Sequence, residues 1–250
     1  ASAIGEANTF EKVKQDKEAK IDLYVGQVNP NISVDLHLKK YEPRDIAKDI
    51  RYLLEQGKAA KELTVALDIT IDTFHSQSVK TLLHTFQEEI KEGKLNFVFF
   101  RSGQKFDMLG MDNYYGAPFY TVNNGEAKWD AFQPLFNAAA HRTDTLSLQW
   151  FALSAKYAQK ALEQYRQLIF QNTRTILSQI PDPLKHPNTL LRSIQVKDAD
   201  ESMAASFIDL KCFGNAHQLQ FYTYHLNFLR HMFDRKIKTG AQASFGFYHP

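Results

Sequence analysis

The sequence predicts an α/β protein, a mostly parallel sheet wrapped by helices (a partial large domain) followed by a smaller α+β domain. Three observations carry this expectation. Three short apolar runs, Ile21–Val28, Leu63–Ile71 and Leu95–Phe100, alternate with two segments of helical period. The links between them are short, the pattern of parallel strands joined by right-handed crossovers. Beyond about residue 145 a long helical pattern leads into short strand-like runs of a different order.

The first run, IDLYVGQV, is β-rich and stops at Asn29-Pro30-Asn31, where proline ends ladder pairing. Pro43 suits the first turn of a helix in which Ile46, Ile50, Leu53 and Leu54 share a face, with Gly57 as its stop. The second run, LTVALDITI, is almost continuously apolar, as strands buried on both faces are, yet it contains Asp68. Ser76–Gly93 is again helical by period, with Val79, Leu82, Leu83, Phe86 and Ile90 on one side. The third run, LNFVFF, is a buried strand. A fourth strand is expected within Gly116–Val122, before the turn signal Asn123-Asn124-Gly125. Thr145–Ile180 reads as one long connecting helix ended by Pro181 and Pro183. Short strands are expected at Leu191–Val196, Ala205–Phe213 and Ala243–Phe247, with a helix over Gln218–Lys238. The implied division is 1–148 for the sheet-bearing part and 149–250 for the interdomain helix and small domain.

Composition narrows the function classes. The chain has 250 residues, enough for a full core, and 19 Phe and 11 Tyr make that core aromatic. Thirty basic against 28 acidic residues leave a charge of +2, too small to argue for nucleic acid or an anionic membrane as partner. A lone cysteine, Cys212, forbids an internal disulfide and fits a reducing, cytoplasmic setting. No apolar run approaches membrane-spanning length.

The functional signal is a convergence at one edge. Ligand sites in parallel sheets lie beyond the carboxyl ends of the strands, and all three runs carry polar residues there: Asn29, Asp68 and Arg101-Ser102-Gly103-Gln104-Lys105. An ionised carboxylate late in a buried strand needs a cationic or hydrogen-bonding partner. Read alone, Asp68 is equally a core aspartate paired with Arg101 or with backbone donors. Lys105 alone is an ordinary solvated lysine or an amine drawn into a desolvated pocket. Asn29 and Ser102 alone are loop or cap residues.

Together, strand–Asn29-Pro30, helix, strand–Asp68, helix, strand–Ser102-x-x-Lys105 resembles the fold-type I pyridoxal-phosphate enzymes, the aminotransferase superfamily above all. The resemblance spans roughly residues 21–247. It implies pyridoxal 5'-phosphate as cofactor, with Asn29 on the ring hydroxyl, Asp68 on the pyridine nitrogen, Ser102 on the phosphate and Lys105 as the catalytic Schiff-base lysine. It further implies a small-molecule amino acid or amine as substrate, transaminase-like chemistry, and a homodimer. The sequence departs from the family at Met111-Asp112-Asn113-Tyr114, where a phosphate-binding arginine is usual; Arg101 is the nearest substitute. Only residues 1–20 precede the first strand, whereas the family carries a phosphate cradle before it. The expectation is therefore either a missing N-terminal segment, with this chain a fragment or one half of a cleaved enzyme, or a degenerate fold without catalysis that serves as a binding or interaction module.

Other chemistry lacks support. Neither a G-x-x-x-x-G-K-[ST] loop nor a G-x-G-x-x-G turn occurs. His217, His225 and His231 are not spaced as a helical metal pair, so no metal site is expected. Cys212 sits in an apolar run, where thiols are inert.

Overall fold

The computed structural model describes residues 7–28, 45–108, 116–139, 143–179, 191–193, 208–210, 227, 230–231 and 234–236. Within them the apolar runs form a four-stranded open sheet in sequence order, β1 (Ile21–Gln27), β2 (Ala59–Asp68), β3 (Leu95–Phe100) and β4 (Phe119–Val122). The first three strands are parallel and β4 runs antiparallel along β3. This is an α/β architecture with a mostly parallel sheet. Seven helices are described.

The links obey the local signals. Helix α1 (Ala7–Gln15) precedes β1 and packs Phe10 edge-on against Tyr24, with ring centroids 6.2 Å apart. Helix α2 (Ile46–Glu55) starts at Asp45, whose carboxylate accepts from the Lys48 amide at 3.0 Å. It ends at Gly57, where φ is 61° and the Lys58 amide closes onto the Leu53 carbonyl. Gly93 (φ 72°) ends the second crossover in the same way. That crossover is two helices, α3 (Gln77–Thr85) and α4 (Gln87–Lys91), divided at Phe86. The Phe86 ring is fully buried beside Phe97, at 6.3 Å between centroids, and under the Arg51 guanidinium.

The core lies on one face of the sheet. Leu63, Val65 and Leu67 of β2 and Leu95, Phe97 and Phe99 of β3 are wholly buried beneath Ile50, Leu53, Val79, Phe86 and Ile90 of α2–α4. Each such side chain contributes roughly 1.5–3 kcal/mol relative to leaving it in water. The alternate residues Thr64, Ala66 and Asp68 are half-buried. The apolar run of β2 therefore does not mark a strand buried on both faces: consecutive right-handed crossovers in strand order 1-2-3 bring α2–α4 to the same side. On the other face Phe119 packs against Phe132 and Phe136 of α5 (Phe132–Ala139), and Leu23 of β1 is 54% exposed.

The long helix expected over 145–180 is interrupted. Helix α6 (Thr145–Tyr157) stops at Ala158, whose φ and ψ of −103° and 5° are outside the helical range, and α7 (Gln159–Gln179) follows at once. The break lets two faces reach the sheet-bearing part. Phe151 of α6 meets the 103 and 116 backbones, and Phe170 of α7 packs with Ile71 and Phe106. Strands β5 (Leu191–Ser193) and β6 (Ile208–Leu210) form an antiparallel pair within the runs expected there, whose remaining residues lie outside the described ones. The strand expected at 243–247, Cys212, and most of the helix expected over 218–238 lie outside the described residues. No helix among the described residues is long and apolar enough to cross a membrane.

Candidate functional site

Register brings the strand ends together. Gln27 pairs with Asp68, Asp68 with Phe100, and Phe100 with Phe119, so the carboxyl ends of β1, β2 and β3 lie side by side. Asn29 falls outside the described residues. Its chain enters from Val28, whose amide donates to the Asp68 carbonyl at 3.2 Å.

Asp68 faces away from the main core and is held by a turn of its own sequence. Its Oδ1 accepts from the Thr70 amide at 2.8 Å and from the Thr70 hydroxyl at 2.5 Å, the local motif in which an aspartate caps the amide two residues on. Its Oδ2 has one long contact, from Gln27 Nε2 at 3.4 Å. Thr70 Oγ1 also accepts from the Ser102 amide at 3.0 Å. Asp68 and the Ser102 turn are thus joined through one hydroxyl. The turn captures Thr70 and ends β2 at Asp68 rather than at Ile71.

The segment carrying Ser102 and Lys105 is pinned on its other side. The Arg101 amide donates to the Pro118 carbonyl at 3.2 Å and the Gly103 amide to the Gly116 carbonyl at 2.8 Å. The Phe151 ring lies so close to Gly103 and Gly116 that a Cβ at either would overlap it. Lys105 is half-buried in the bend that follows.

Arg101 is not aimed at this edge. Strand alternation sends it to the opposite face, where Nη2 is ion-paired with Asp107 Oδ1 and the guanidinium lies 4.7 Å from the centre of the Phe74 ring. It therefore pairs with Asp107, not Asp68, and the reading of Arg101 as a phosphate substitute has no geometric support. Burial pushes the Asp107 carboxyl above the usual carboxylate range, with Arg101 pulling only partly against it. Asp107 Oδ2 and Arg101 Nε are both buried without a hydrogen-bond partner.

A second arginine, which the sequence reading passed over, completes this side. Arg166 of α7 is buried, donates from Nε to the Ile71 carbonyl at 2.7 Å, and lies 3.9 Å from Asp72 Oδ1 and 3.7 Å from Glu163 Oε2. Its signal was present: it stands at the midpoint of Leu162 and Phe170, four residues from each, on the apolar face of the helix. Arg101, Asp107 and Arg166 line a cleft of about 440 Å³ between the start of α3 and the start of α7. Asp68, Ser102 and Lys105 do not line it. Among the described residues no cluster of three or more His, Cys, Asp or Glu side chains is placed to hold a metal ion.

The residues at the edge fit a protonated aromatic ring nitrogen. Asp68 is half-buried, and its Oδ2 retains acceptor capacity beyond the long Gln27 contact. Comparison with protein-family models and with curated proteins gives no match for this chain.

Proposed function

We propose that the chain uses the carboxyl edge of β1–β3 to hold pyridoxal 5'-phosphate and acts on an amino acid or amine in the manner of an aminotransferase. The observation that supports this reading is the register Gln27–Asp68–Phe100, which puts Asp68 between the carboxyl ends of β1 and β3, the latter running on into Ser102-x-x-Lys105. When bound, the cofactor supplies an electron sink for the bond broken at the substrate's α-carbon. The protein's contribution is electrostatic and positional. The Asp68 carboxylate, its rotamer fixed by Thr70, would keep the ring nitrogen protonated, Asn29 would donate to the ring oxygen and Ser102 to the phosphate. The Lys105 amine would hold the cofactor until the substrate amine displaced it, and the amine so freed would take and return the α-proton as general base. A large domain over 1–148, a helix and small domain over 149–250, a homodimer and a cytoplasmic setting belong to the same proposal.

The engagement of Arg101 by Asp107 favours one alternative, a cofactor-free descendant of the fold acting as a binding module. An absorbance titration with pyridoxal phosphate separates the two. A visible band that forms with the wild type and not with Lys105→Ala supports the enzyme reading. A wild type that stays transparent in the visible leaves the module.

A further inference from the structure

The turn after β4 lies at the opposite edge of the sheet from Asp68, because Val122 pairs with Phe97 near the start of β3. It takes no part in the cofactor reading. It carries the dipeptide Asn124-Gly125. The side-chain amide of an asparagine is open to attack by the backbone nitrogen of the following residue, and glycine, without a Cβ, hinders that attack least. Gly125 is exposed with φ at 71°, and a Cβ built on it would meet nothing within 4 Å. The attacking nitrogen is therefore within reach of solvent base.

Three hydrogen bonds act on the reacting groups. The Glu126 amide donates to Asn124 Oδ1 at 3.3 Å, which polarises the carbonyl to be attacked. Two others oppose the reaction. Asn124 Nδ2 donates to Glu126 Oε1 at 2.6 Å, a charge-assisted bond, and the Gly125 amide donates to Asn123 Oδ1 at 2.9 Å. Nδ2 is also seated over Gly93, 2.5 Å from where a Cβ of that residue would stand. Ring closure needs the amide to rotate and then to lose Nδ2, and the Glu126 bond resists both.

We propose that Asn124 is a site of spontaneous deamidation, with water as co-reactant, and that Glu126 sets its rate by holding Nδ2. The Gly125 nitrogen gives up its proton and bonds to Cγ. The Cγ–Nδ2 bond breaks, ammonia leaves with that proton, and a five-membered succinimide remains. Water opens the ring at one carbonyl or the other, giving aspartate or isoaspartate. Either product replaces the donor that faced Glu126 with a carboxylate or a lengthened backbone, and adds one negative charge to the turn. Glu126 then keeps Lys128, 3.2 Å away, which also reaches Glu62 at 2.7 Å.

The test is timed incubation of the full chain in mildly alkaline buffer, folded and in urea, with peptide mapping by mass spectrometry and enzymatic methylation to count isoaspartate. In urea, wild type and Glu126→Ala should convert at the same rate. Folded, the wild type should convert at Asn124 more slowly than in urea, and Glu126→Ala about threefold faster than the folded wild type. Glu126→Gln, which keeps an acceptor oxygen at the same reach, should stay near the wild type. A folded chain that stays intact at Asn124 in both wild type and Glu126→Ala overturns the site. Equal folded rates for the two, or a difference that persists in urea, overturn the role of Glu126.

Discussion

The Thr70 hydroxyl donates to Asp68 Oδ1 at 2.5 Å and accepts from the Ser102 amide at 3.0 Å, so one side chain sets both the carboxylate of β2 and the turn after β3. Thr70→Val keeps the shape and removes both bonds. We expect a loss of about 2 kcal/mol in urea denaturation and weaker pyridoxal phosphate binding. Thr70→Ser restores both; a Thr70→Val chain as stable as the wild type would show that the hydroxyl has no such role.

Arg101 and Asp107 form a buried pair in which desolvation outweighs attraction. Asp107→Ala strands the arginine and is expected to cost about 3–5 kcal/mol, whereas Arg101→Met with Asp107→Leu costs far less. Because the folded pKa of Asp107 is raised, its contribution to stability is complete below the unfolded value of about 4 and is lost as pH rises through the folded one. Denaturation midpoints measured upward from pH 4 should show this decline in the wild type and lack it in Asp107→Asn.

Tyr120 stacks on Phe99 at 5.0 Å and meets Phe74 edge-on at 4.9 Å, and burial pushes its hydroxyl up to about 12. The stability this confers is present below the unfolded value of about 10 and lost as pH rises through the folded one. Tyr120→Phe should remove that part of the alkaline unfolding, read by circular dichroism from pH 9 upward. An unchanged alkaline limb would assign it to another group.

Gly103 has no room for a side chain between Phe151 and the Gly116 carbonyl. Gly103→Ala is expected to destabilise by about 1–3 kcal/mol, and Phe151→Leu in the same chain to recover part of the loss. Absence of recovery would mean that the Phe151 ring does not limit the turn.

Much of this architecture was legible. The apolar runs located β1, β2 and β3, and the glycines at 57 and 93 marked where their crossovers end, because a positive φ is nearly a glycine property. What escaped was tertiary. No Gly or Pro marks the break at Ala158, which follows from α6 and α7 packing Phe151 and Phe170 in different places. The division at Phe86 likewise reflects burial of its ring. At the site, adjacency of the strand ends followed from strand order. Of the two structural partners the sequence allows for Asp68, the backbone donor is present in the Thr70 amide, joined by the Thr70 hydroxyl, while Arg101 is sent by strand alternation to the other face. Arg166 was hidden in a helix read for its apolar residues alone.

The central claim is that Lys105 is the amine that holds pyridoxal phosphate. Borohydride reduction of the chain with the cofactor, followed by peptide mapping, tests it most directly. The account predicts one reduced phosphopyridoxyl label, on Lys105, absent from Lys105→Ala. Labels scattered over surface lysines, or none at all, would contradict it.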